Sequence, residues 1–323
     1  MPDGGSLGAE PGATHGGPRF DARVAPGGYA WWYADALSDD GRHALSIIAF
    51  VGSVFSPYYA WARRGGNAEP LDHCALNVAL YGPGSRWTMT ERGRRSVHAE
   101  RDALAIGPSS LRWDGAGLTI AIDEIAVPLP VRVRGRVRVM PSAPSGLALA
   151  LDGRGRHRWW PLAPCARVEV ALDRPRLRWS GGGYLDANAG DEPLEAAFSR
   201  WTWSRAALRE GAAVLYDVAL RDRAEAAAPI ALRFDGRGGV QAFAPPPMAA
   251  LPPTLWRMRR EARSENAVGV ERTLEDAPFY ARSQLTAELL GERVTAMHES
   301  LSLDRFRSPW VQAMLPFRMP RRA

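Results

Sequence analysis

The sequence predicts an all-β protein built from two barrel-like halves. Apolar residues recur with a period of two, clusters of Gly, Asp and Pro separate the short apolar segments, and no long amphipathic helix interrupts them. A chain of 323 residues, of which 46% are hydrophobic, can form two domains that each have a core. We expect a disordered tail at 1–19, a first β domain at 20–192 that carries the active-site segment, and a second at 193–323, divided near Gly190 to Glu195.

In the first half, turn-forming sequences clearly separate the predicted strands. Asp114-Gly115 is a strong hairpin signal, and a further hairpin is predicted around Asp173-Arg174-Pro175. From Val131 to Val139 valine alternates with arginine, which predicts a strand with an apolar inner face and a charged outer face. The predicted strands of this half are 30–35, 44–51, 73–81, 109–113, 118–122, 131–139, 166–172 and 176–179.

The second half continues as a meander of short strands. A proline-rich connector at 245–253 divides it, and the one helix that the pattern favours is Ser308 to Leu315. The predicted strands of this half are 197–203, 213–221, 230–234, 239–243, 255–260, 283–290 and 293–299.

The net charge of +6 and the pI near 9.8 do not indicate a nucleic-acid partner. All 41 basic residues are arginine, a bias typical of GC-rich coding. No basic cluster, zinc spacing or recognition helix accompanies the charge, so we expect no binding to nucleic acid. A weak attraction to anionic lipid headgroups remains open.

The two cysteines and the apolar runs favour a cytoplasmic protein with peripheral membrane contact. Cys74 and Cys165 are far apart and form no C-x-x-C motif, so neither a disulfide framework nor a zinc site is predicted. The first residues lack the pattern of a secretion signal, and the longest apolar run, Leu45 to Phe55, is too short to span a bilayer.

Two short patterns place chemically useful side chains two residues apart. His157-x-Trp159 and Tyr184-x-Asp186 lie on neighbouring predicted strands. Because residues two apart on a strand point to the same face, the four side chains can meet in a common cavity. Each also has a structural alternative: a core Trp, a packed Tyr, a turn-forming Asp and an exposed strand His.

A neutral Asp186 in apolar surroundings could protonate an alkene and give a tertiary carbocation. The indole face of Trp159 could stabilise that cation. His157 could accept the proton that the added water loses, or Tyr184 could orient the water. The sum of these steps is the hydration of an alkene without a cofactor.

Other chemistries find little support in the sequence. His43, His73 and His98 have no metal-ligand spacing, and no serine lies in a G-x-S-x-G motif. Gly181-Gly182-Gly183 is not a nucleotide-binding loop. The adjacent carboxylates Asp191 and Glu192 point to opposite faces of a strand, which argues against a glycosidase.

Three stretches of the chain resemble a known family. They are Gly28 to Gly41 (GYAWWYADALSDDG), Ile47 to Tyr59 (IIAFVGSVFSPYY) and Tyr184 to Asn188 (YLDAN). They resemble the carotenoid 1,2-hydratases, or hydroxyneurosporene synthases, of purple phototrophic bacteria. The likeness extends from about Phe20 to Pro316.

The resemblance implies a cofactor-independent enzyme that adds water to the terminal 1,2 double bond of acyclic carotenoids such as neurosporene or lycopene. It implies two tandem lipocalin-like β-barrel domains, with Asp186 as the acid and Tyr184, His157 and Trp159 as the other important positions. The expected partners are the carotenoid, water, the membrane surface and other enzymes of carotenoid synthesis.

Two alternatives remain open: a non-catalytic carrier of apolar ligands, and an isomerase or cyclase that uses the same cation. A membrane-dissolved substrate also suggests a tunnel that opens toward the bilayer. The aromatic residues that we expect to be exposed there are Trp256, Phe306, Trp310 and Phe317. The alternative for these four residues is that they close the ends of the barrels.

Overall fold

The computed structural model describes residues 17–66, 68–222 and 227–322. Most of the predicted N-terminal tail, residues 1–16, lies outside these ranges. Gly17 and Pro18 are buried, and a side chain at Gly17 would overlap the indole ring of Trp113. The packed chain therefore includes residues that the prediction assigned to the tail.

The strands of the N-terminal half form most of a thirteen-stranded sheet, the first sheet. They are β1 Tyr29–Ser38, β2 Ala44–Val51, β3 Cys74–Tyr81, β4 Arg86–Arg92, β5 Val97–Glu100, β6 Ala103–Ile106, β7 Ser109–Trp113, β8 Leu118–Ile125, β9 Arg132–Pro141, β10 Leu149–Ala150, β11 His157–Arg174 and β12 Leu177–Gly190. The spatial order is β4, β3, β2, β1, β12, β11, β9, β8, β7, β6, β5, and β10 pairs with β11.

The first sheet curls until two distant strands meet. Thr88 of β4 forms a β-bridge with Ala126, which directly follows β8. Next to this bridge, the amide of Val127 donates a hydrogen bond to the carbonyl of Trp87 at 2.9 Å. Curling of this kind encloses a core and covers strand edges.

Strand β1 is buried on both of its faces. Trp32 belongs to the core inside the curled first sheet, whereas Trp31 and Tyr33 belong to a second core that the C-terminal half shares. Successive residues of a strand point to opposite faces, so both kinds of position are apolar here. The outer face of β1 is therefore free to form one wall of a site between the two halves.

The C-terminal half contributes the remaining strands. They are β13 Phe198–Ala207, β14 Ala212–Leu220, β15 Ile230–Phe234, β16 Val240–Ala242, β17 Met248–Leu251, β18 Arg260–Arg263, β19 Gly269–Asp276, β20 Tyr280–Leu289, β21 Glu292–Ser302 and β22 Arg321–Arg322. Seven of them form the second sheet in the order β16, β15, β14, β13, β21, β20, β19, and β17 pairs with β18.

Four short α-helices connect or cover the sheets: α1 Pro57–Arg64, α2 Leu194–Ala197, α3 Leu303–Phe306 and α4 Pro309–Arg318. After α4 the chain returns to the first sheet, where β22 pairs in parallel with β4. Arg321 of β22 forms an ion pair with the buried Glu91 of β4, which also contacts His73 at 2.9 Å. Helix α4 is therefore attached to the second sheet at one end and to the first sheet at the other.

The all-β prediction is confirmed, and most predicted strands and the helix near 308–315 are present. The strand predicted at 255–260 is wrong. Leu255 is almost fully exposed, Arg257 has a left-handed φ of 55°, and β18 begins only at Arg260. The elements that the prediction missed are α1, α2, α3, β4, β5, β6, β10, β17, β18, β19 and β22.

The division near residue 192 stays a proposal. In its favour, β12 ends the first sheet's run of strands at Gly190, and β13 opens the second sheet at Phe198. Strand β22 is the exception, because it follows the second sheet in sequence but lies in the first.

Candidate active site

The two sheets face each other across a largely apolar cavity of about 340 Å³. This volume lies at the lower end of the roughly 300–1,000 Å³ that small-molecule sites span. Strands β1, β2, β3, β4 and β12 of the first sheet supply one wall, and strands β13, β14, β20 and β21 of the second sheet supply the other. The candidate site therefore belongs to both halves of the chain.

On the first sheet, the side chains that line the cavity form rows across neighbouring strands. Asp186 of β12 lies opposite Tyr33 of β1, which in turn lies opposite Ile48 of β2. The next row places Asn188 opposite Trp31. Because residues two apart on a strand share a face, the Asp186-x-Asn188 and Trp31-x-Tyr33 spacings build this wall.

The second sheet presents matching rows. Trp203 of β13 lies opposite Glu299 of β21, and Glu299 lies opposite Arg282 of β20. The two walls touch at Tyr33, whose ring lies 5.4 Å from that of Trp203 and whose hydroxyl accepts a hydrogen bond from Arg282 Nη1 at 2.6 Å. The next row of this wall consists of Trp201, Leu301 and Tyr280.

Two neutral groups donate hydrogen bonds to the same carboxyl oxygen of Asp186. Its Oδ2 accepts a hydrogen bond from Trp159 Nε1 at 2.8 Å and another from the Tyr184 hydroxyl at 2.9 Å. Its Oδ1 is buried, and no group in the described part of the chain hydrogen bonds to it. The two donors leave Oδ1 as the oxygen that carries the proton when Asp186 is neutral.

The surroundings of Asp186 favour the neutral acid. Burial raises the pKa of Asp186 well above its ordinary value, because a carboxylate loses its hydration in an apolar site. The hydrogen bonds from Trp159 and Tyr184 lower this pKa, whereas the negative charges of Glu299 and Asp35 raise it further. The cavity wall therefore carries a carboxylic acid that can donate a proton.

His157 lies behind the wall, in a neighbouring buried cluster. Its Nδ1 is 2.8 Å from the Tyr29 hydroxyl, and its ring packs edge-on against Phe198 at 4.6 Å. Burial lowers the pKa of His157, although Nε2 lies 3.6 Å from a carboxylate oxygen of Glu192. Opposite His157 in the strand pair is Gly190, where a side chain would overlap the Tyr29 ring. Glycine at this position lets the cluster form.

The structure thus brings three of the four predicted residues into one hydrogen-bonded group: Asp186, Trp159 and Tyr184. His157 is not part of that group. Trp159 is fully buried, contacts Asp186 through its indole N–H, and packs its ring against Tyr216 at 5.1 Å. This arrangement favours a role for Trp159 in holding the acid, while other aromatic rings form the cavity walls.

Sequence reasoning missed several residues that line the cavity. They include Trp31, Tyr33, Trp201, Trp203, Tyr216, Arg282 and Glu299. The two-residue spacing that selected His157 and Trp159 also occurs in Trp31-x-Tyr33 and Trp201-x-Trp203, so it could have found these aromatic pairs. Arg282 and Glu299 give no local signal, because their pairing depends on the register of β20 against β21.

The cavity opens beside α4. Phe317 lines the cavity and is 82% exposed, and Met314 lines it and is also exposed. Trp310 of the same helix is exposed and stacks on the exposed Trp256 at 6.1 Å. The predicted exposure of Phe306 is wrong, because α3 packs this ring into the core that the two sheets share.

Neither a metal centre nor a spanning helix appears in the part of the chain that the structure describes. Residues 17–66, 68–222 and 227–322 contain no cluster of three or more His, Cys, Asp or Glu side chains arranged to bind a metal ion. Within the same ranges, every helix is too short or too polar to cross a membrane.

The chain is similar to proteins of one family. Residues 47–323 match the family model of the carotenoid hydratase CrtC. The chain is 58% identical to the acyclic carotenoid 1,2-hydratase of Thiocapsa roseopersicina, over 99% of this chain and 80% of that protein. It is 40% identical to the protein of the same name from Cereibacter sphaeroides, over 85% of this chain and 98% of that protein.

Solved structures show the same fold at low sequence identity. A protein of Nitrosomonas europaea described as AttH superposes with a TM-score of 0.59 and 15% identity, over 85% of this chain and 92% of that chain. Kievitone hydratase from Nectria haematococca superposes with a TM-score of 0.53 and 9% identity, over 90% of this chain and 98% of that chain. The predicted fold class, two tandem lipocalin-like β-barrel domains, is confirmed.

Proposed function

We propose that this chain, which belongs to the carotenoid hydratase CrtC family, is a hydro-lyase that adds water to the terminal 1,2 double bond of acyclic carotenoids such as neurosporene or lycopene. The observation that carries the proposal is Asp186, a buried carboxyl group at the wall of an apolar cavity, with one oxygen to which no described group hydrogen bonds. The product is a tertiary 1-hydroxy carotenoid.

The first step is protonation of the alkene by Asp186. The proton leaves Oδ1, and the π electrons of the alkene form a new C–H bond at C2. C1 becomes a tertiary cation, because it carries two methyl groups and the chain carbon. Trp159 and Tyr184 fix the carboxyl group and stabilise the carboxylate that remains, since both donate to Oδ2. A positioned general acid typically contributes about 10²–10⁴-fold to a rate.

The cation then lies among aromatic rings. Trp201, Trp203 and Tyr216 line the cavity, and the ring of Trp203 is 5.1 Å from that of Tyr184, which holds the acid. Cation–π attraction in a desolvated site is worth about 2 kcal/mol or more. Aromatic faces stabilise the cation without forming a covalent bond to it, so the cation stays available to water.

His157 acts in this proposal as a positioning residue. It contacts Tyr29, whose ring stacks on Trp31 with centroids 4.9 Å apart, and Trp31 lines the cavity. On its other side, His157 packs on Phe198, which contacts Trp201 at 5.8 Å. Two rings of the cavity wall are thereby supported from behind.

The proposal includes cofactor independence, which is compatible with the chemistry of the reaction. Addition of water to an alkene causes no net oxidation or reduction, so it requires a proton donor, a proton acceptor and a means of holding the cation. The cavity offers residues for each of these tasks. Its small volume accommodates one end of a long hydrocarbon, whose remainder would leave through the opening at α4.

A mass measurement separates hydration from the two alternatives. We expect purified protein, incubated with detergent-dispersed lycopene in ¹⁸O-labelled water, to give a product that gains one water and carries the label. Binding without a product would indicate an apolar carrier. A new product of unchanged mass would indicate an isomerase or cyclase. Either result would contradict the proposed hydration.

The proposal includes peripheral contact between the α4 surface and a membrane. Trp310, Phe317 and Met314 of α4 and the neighbouring Trp256 are exposed, and amphipathic aromatic rings favour the membrane–water interface. The cavity opens at the same surface, next to Arg318, whose guanidinium lies over the Trp87 ring at 4.2 Å. Membrane contact at this place would bring the opening to the lipid phase that dissolves the substrate.

Replacing both Trp310 and Phe317 with serine should weaken vesicle binding at least tenfold, because the two largest exposed rings of α4 are removed. Co-sedimentation with phosphatidylcholine–phosphatidylglycerol vesicles measures the effect. The matched control is Val240→Ser, which replaces an exposed apolar residue on β16 at the far edge of the second sheet. Equal vesicle binding by the double variant and the parent protein would contradict membrane contact through α4.

A further inference from the structure

We propose that Glu299 is the general base of the hydration: its carboxylate binds the attacking water and takes the proton that this water loses when it bonds to the cation. This inference rests on the proposed function. It assigns the proton acceptor, which the acid step at Asp186 leaves open.

The first argument is the position of Glu299. It lines the same cavity as Asp186 but stands on the wall that the second sheet supplies. Its neighbours across the strands are Trp203 on one side and Arg282 on the other. The Glu299 side chain retains 17% of its surface accessible, which is the part that borders the cavity. A water on this carboxylate would lie beside the Trp203 ring, on the wall opposite the acid.

The second argument is the contrast between the partners of the two carboxyl groups. Glu299 forms an ion pair with Arg282, which is 1% exposed. The same guanidinium donates to the Tyr33 hydroxyl at 2.6 Å and to the Tyr280 hydroxyl at 3.0 Å, so its orientation is fixed. Arginine stays charged in proteins, so Arg282 favours the ionised form of Glu299. Asp186, by contrast, receives hydrogen bonds from two neutral donors, Trp159 and Tyr184, among the residues that the structure describes.

The charges around the two groups reinforce their separate states. Burial raises the pKa of Glu299 and makes it a stronger base than an exposed carboxylate, while Arg282 lowers this pKa. The negative charge of Glu299 in turn raises the pKa of Asp186. Burial thus raises the pKa of both carboxyl groups, and the charge of Arg282 opposes this rise at Glu299. Paired catalytic carboxyl groups in different surroundings typically divide the roles of acid and base. The charged or titratable groups that interact with Glu299 across its surroundings include Arg282, Tyr280, Tyr33, Tyr81, Tyr216, Asp35 and Asp186.

The reaction balances with these two residues and water. The O–H bond at Asp186 Oδ1 breaks and a C–H bond forms at C2. A lone pair of the water forms the C–O bond at C1, an O–H bond of that water breaks, and its proton passes to Glu299. Proton return from Glu299 to Asp186 through water then restores the starting state.

A second acidic residue in the cavity provides a comparison. Glu275 of β19 also lines the cavity but lies toward its opening, where it accepts a hydrogen bond from the Tyr81 hydroxyl at 3.2 Å and lies 3.8 Å from Arg318 of α4. It shares no hydrogen bond with Arg282 among the described residues. The variant Glu275→Gln therefore tests whether any carboxylate of the cavity could serve as the base.

The experiment follows hydration and hydrogen exchange together, with lycopene in D₂O. Asp186 should place deuterium at C2 without the help of Glu299. When the cation then loses a proton instead of adding water, the recovered hydrocarbon carries the label. We expect Glu299→Gln to reduce hydration at least 100-fold while the recovered hydrocarbon still gains deuterium. The acidic limb of the pH profile, which reports the ionisation of the base, should disappear in this variant. Glu271→Gln, an exposed change on β19, is the control.

The outcomes distinguish this inference from the proposed function. Hydration by Glu299→Gln within threefold of the parent protein, loss of both hydration and exchange, or a larger loss in Glu275→Gln would overturn the role of Glu299. No hydration by the parent protein would instead overturn the proposed function. Should Glu299→Gln fail to show a cooperative thermal transition, Glu299→Asp replaces it. That variant keeps the negative charge, but its shorter side chain places the carboxylate farther from the cavity. Its hydration rate should fall about tenfold while hydrogen exchange continues. An unchanged hydration rate would contradict the role of Glu299 as the base.

Discussion

The variant Asp186→Asn is expected to lose about 1,000-fold in kcat/KM for hydration, within the range that a positioned general acid contributes. The amide has nearly the size of the neutral carboxyl group, and its oxygen can accept the hydrogen bonds from Trp159 and Tyr184. It has no acidic proton to transfer to an alkene. Product formation from lycopene measures the rate, and the thermal transition should remain close to that of the parent protein.

The pH dependence of the hydration rate provides a second test of Asp186. In the proposed mechanism Asp186 acts only when protonated, and burial raises its pKa. The hydration rate of the parent protein should therefore fall as the pH rises through this raised pKa. Asp123→Asn, a change at a carboxylate paired with Arg132 on the outer surface, should leave rate and profile unchanged. Near-parental turnover by Asp186→Asn would exclude Asp186 as the acid.

Replacements of Trp159 should separate its hydrogen bond from its packing. Trp159→Phe keeps a ring but removes one of the two donors to Asp186, and we expect a loss of roughly tenfold, as for a hydrogen bond to an ionised group. Trp159→Ala also removes a fully buried ring, so it should lose more than 100-fold in hydration. It should lose about 3–5 kcal/mol in the free energy of unfolding as well.

The neighbouring Trp160 is the matched control for this series. It is equally buried but points to the opposite face of β11, into the core inside the first sheet. Trp160→Phe should therefore affect the thermal transition without changing kcat/KM of the folded protein. If Trp159→Phe and Trp160→Phe have equal effects on kcat/KM, the contact between the indole and Asp186 does not contribute to the reaction.

The strands that the sequence predicts best are those with one buried face. Most of the Val131 to Val139 alternation appears in β9, where Val133, Val137 and Val139 are buried and most of the arginines are exposed. Val131 precedes the strand and is exposed. The Tyr184-x-Asp186 spacing likewise predicts a shared face, because both side chains belong to one strand. Local periodicity is sufficient for such features.

The location of the site between the halves could not be predicted in this way. It depends on which face of β1 meets the second sheet, and β1 is apolar on both faces. The pairing of Glu299 with Arg282 follows from strand register, and their meeting with Tyr33 follows from tertiary packing. His157 shows the limit of spacing arguments: it shares a strand face with Trp159 but lies in another cluster, because it pairs with Gly190, four residues along β12 from Asp186.

The double attachment of α4 bears on regioselectivity. One end of α4 follows the second sheet in the chain, and the other end leads into β22, which pairs in the first sheet. Because both ends are held, the helix cannot swing away as a hinged flap. The rigid polyene of the proposed substrate would then have to enter end first, past Met314 and Phe317. Only its terminal isoprene unit would reach Asp186, while the inner double bonds stay outside. The choice of the terminal alkene would thus be made by the shape of the entrance and not by differences in reactivity along the polyene.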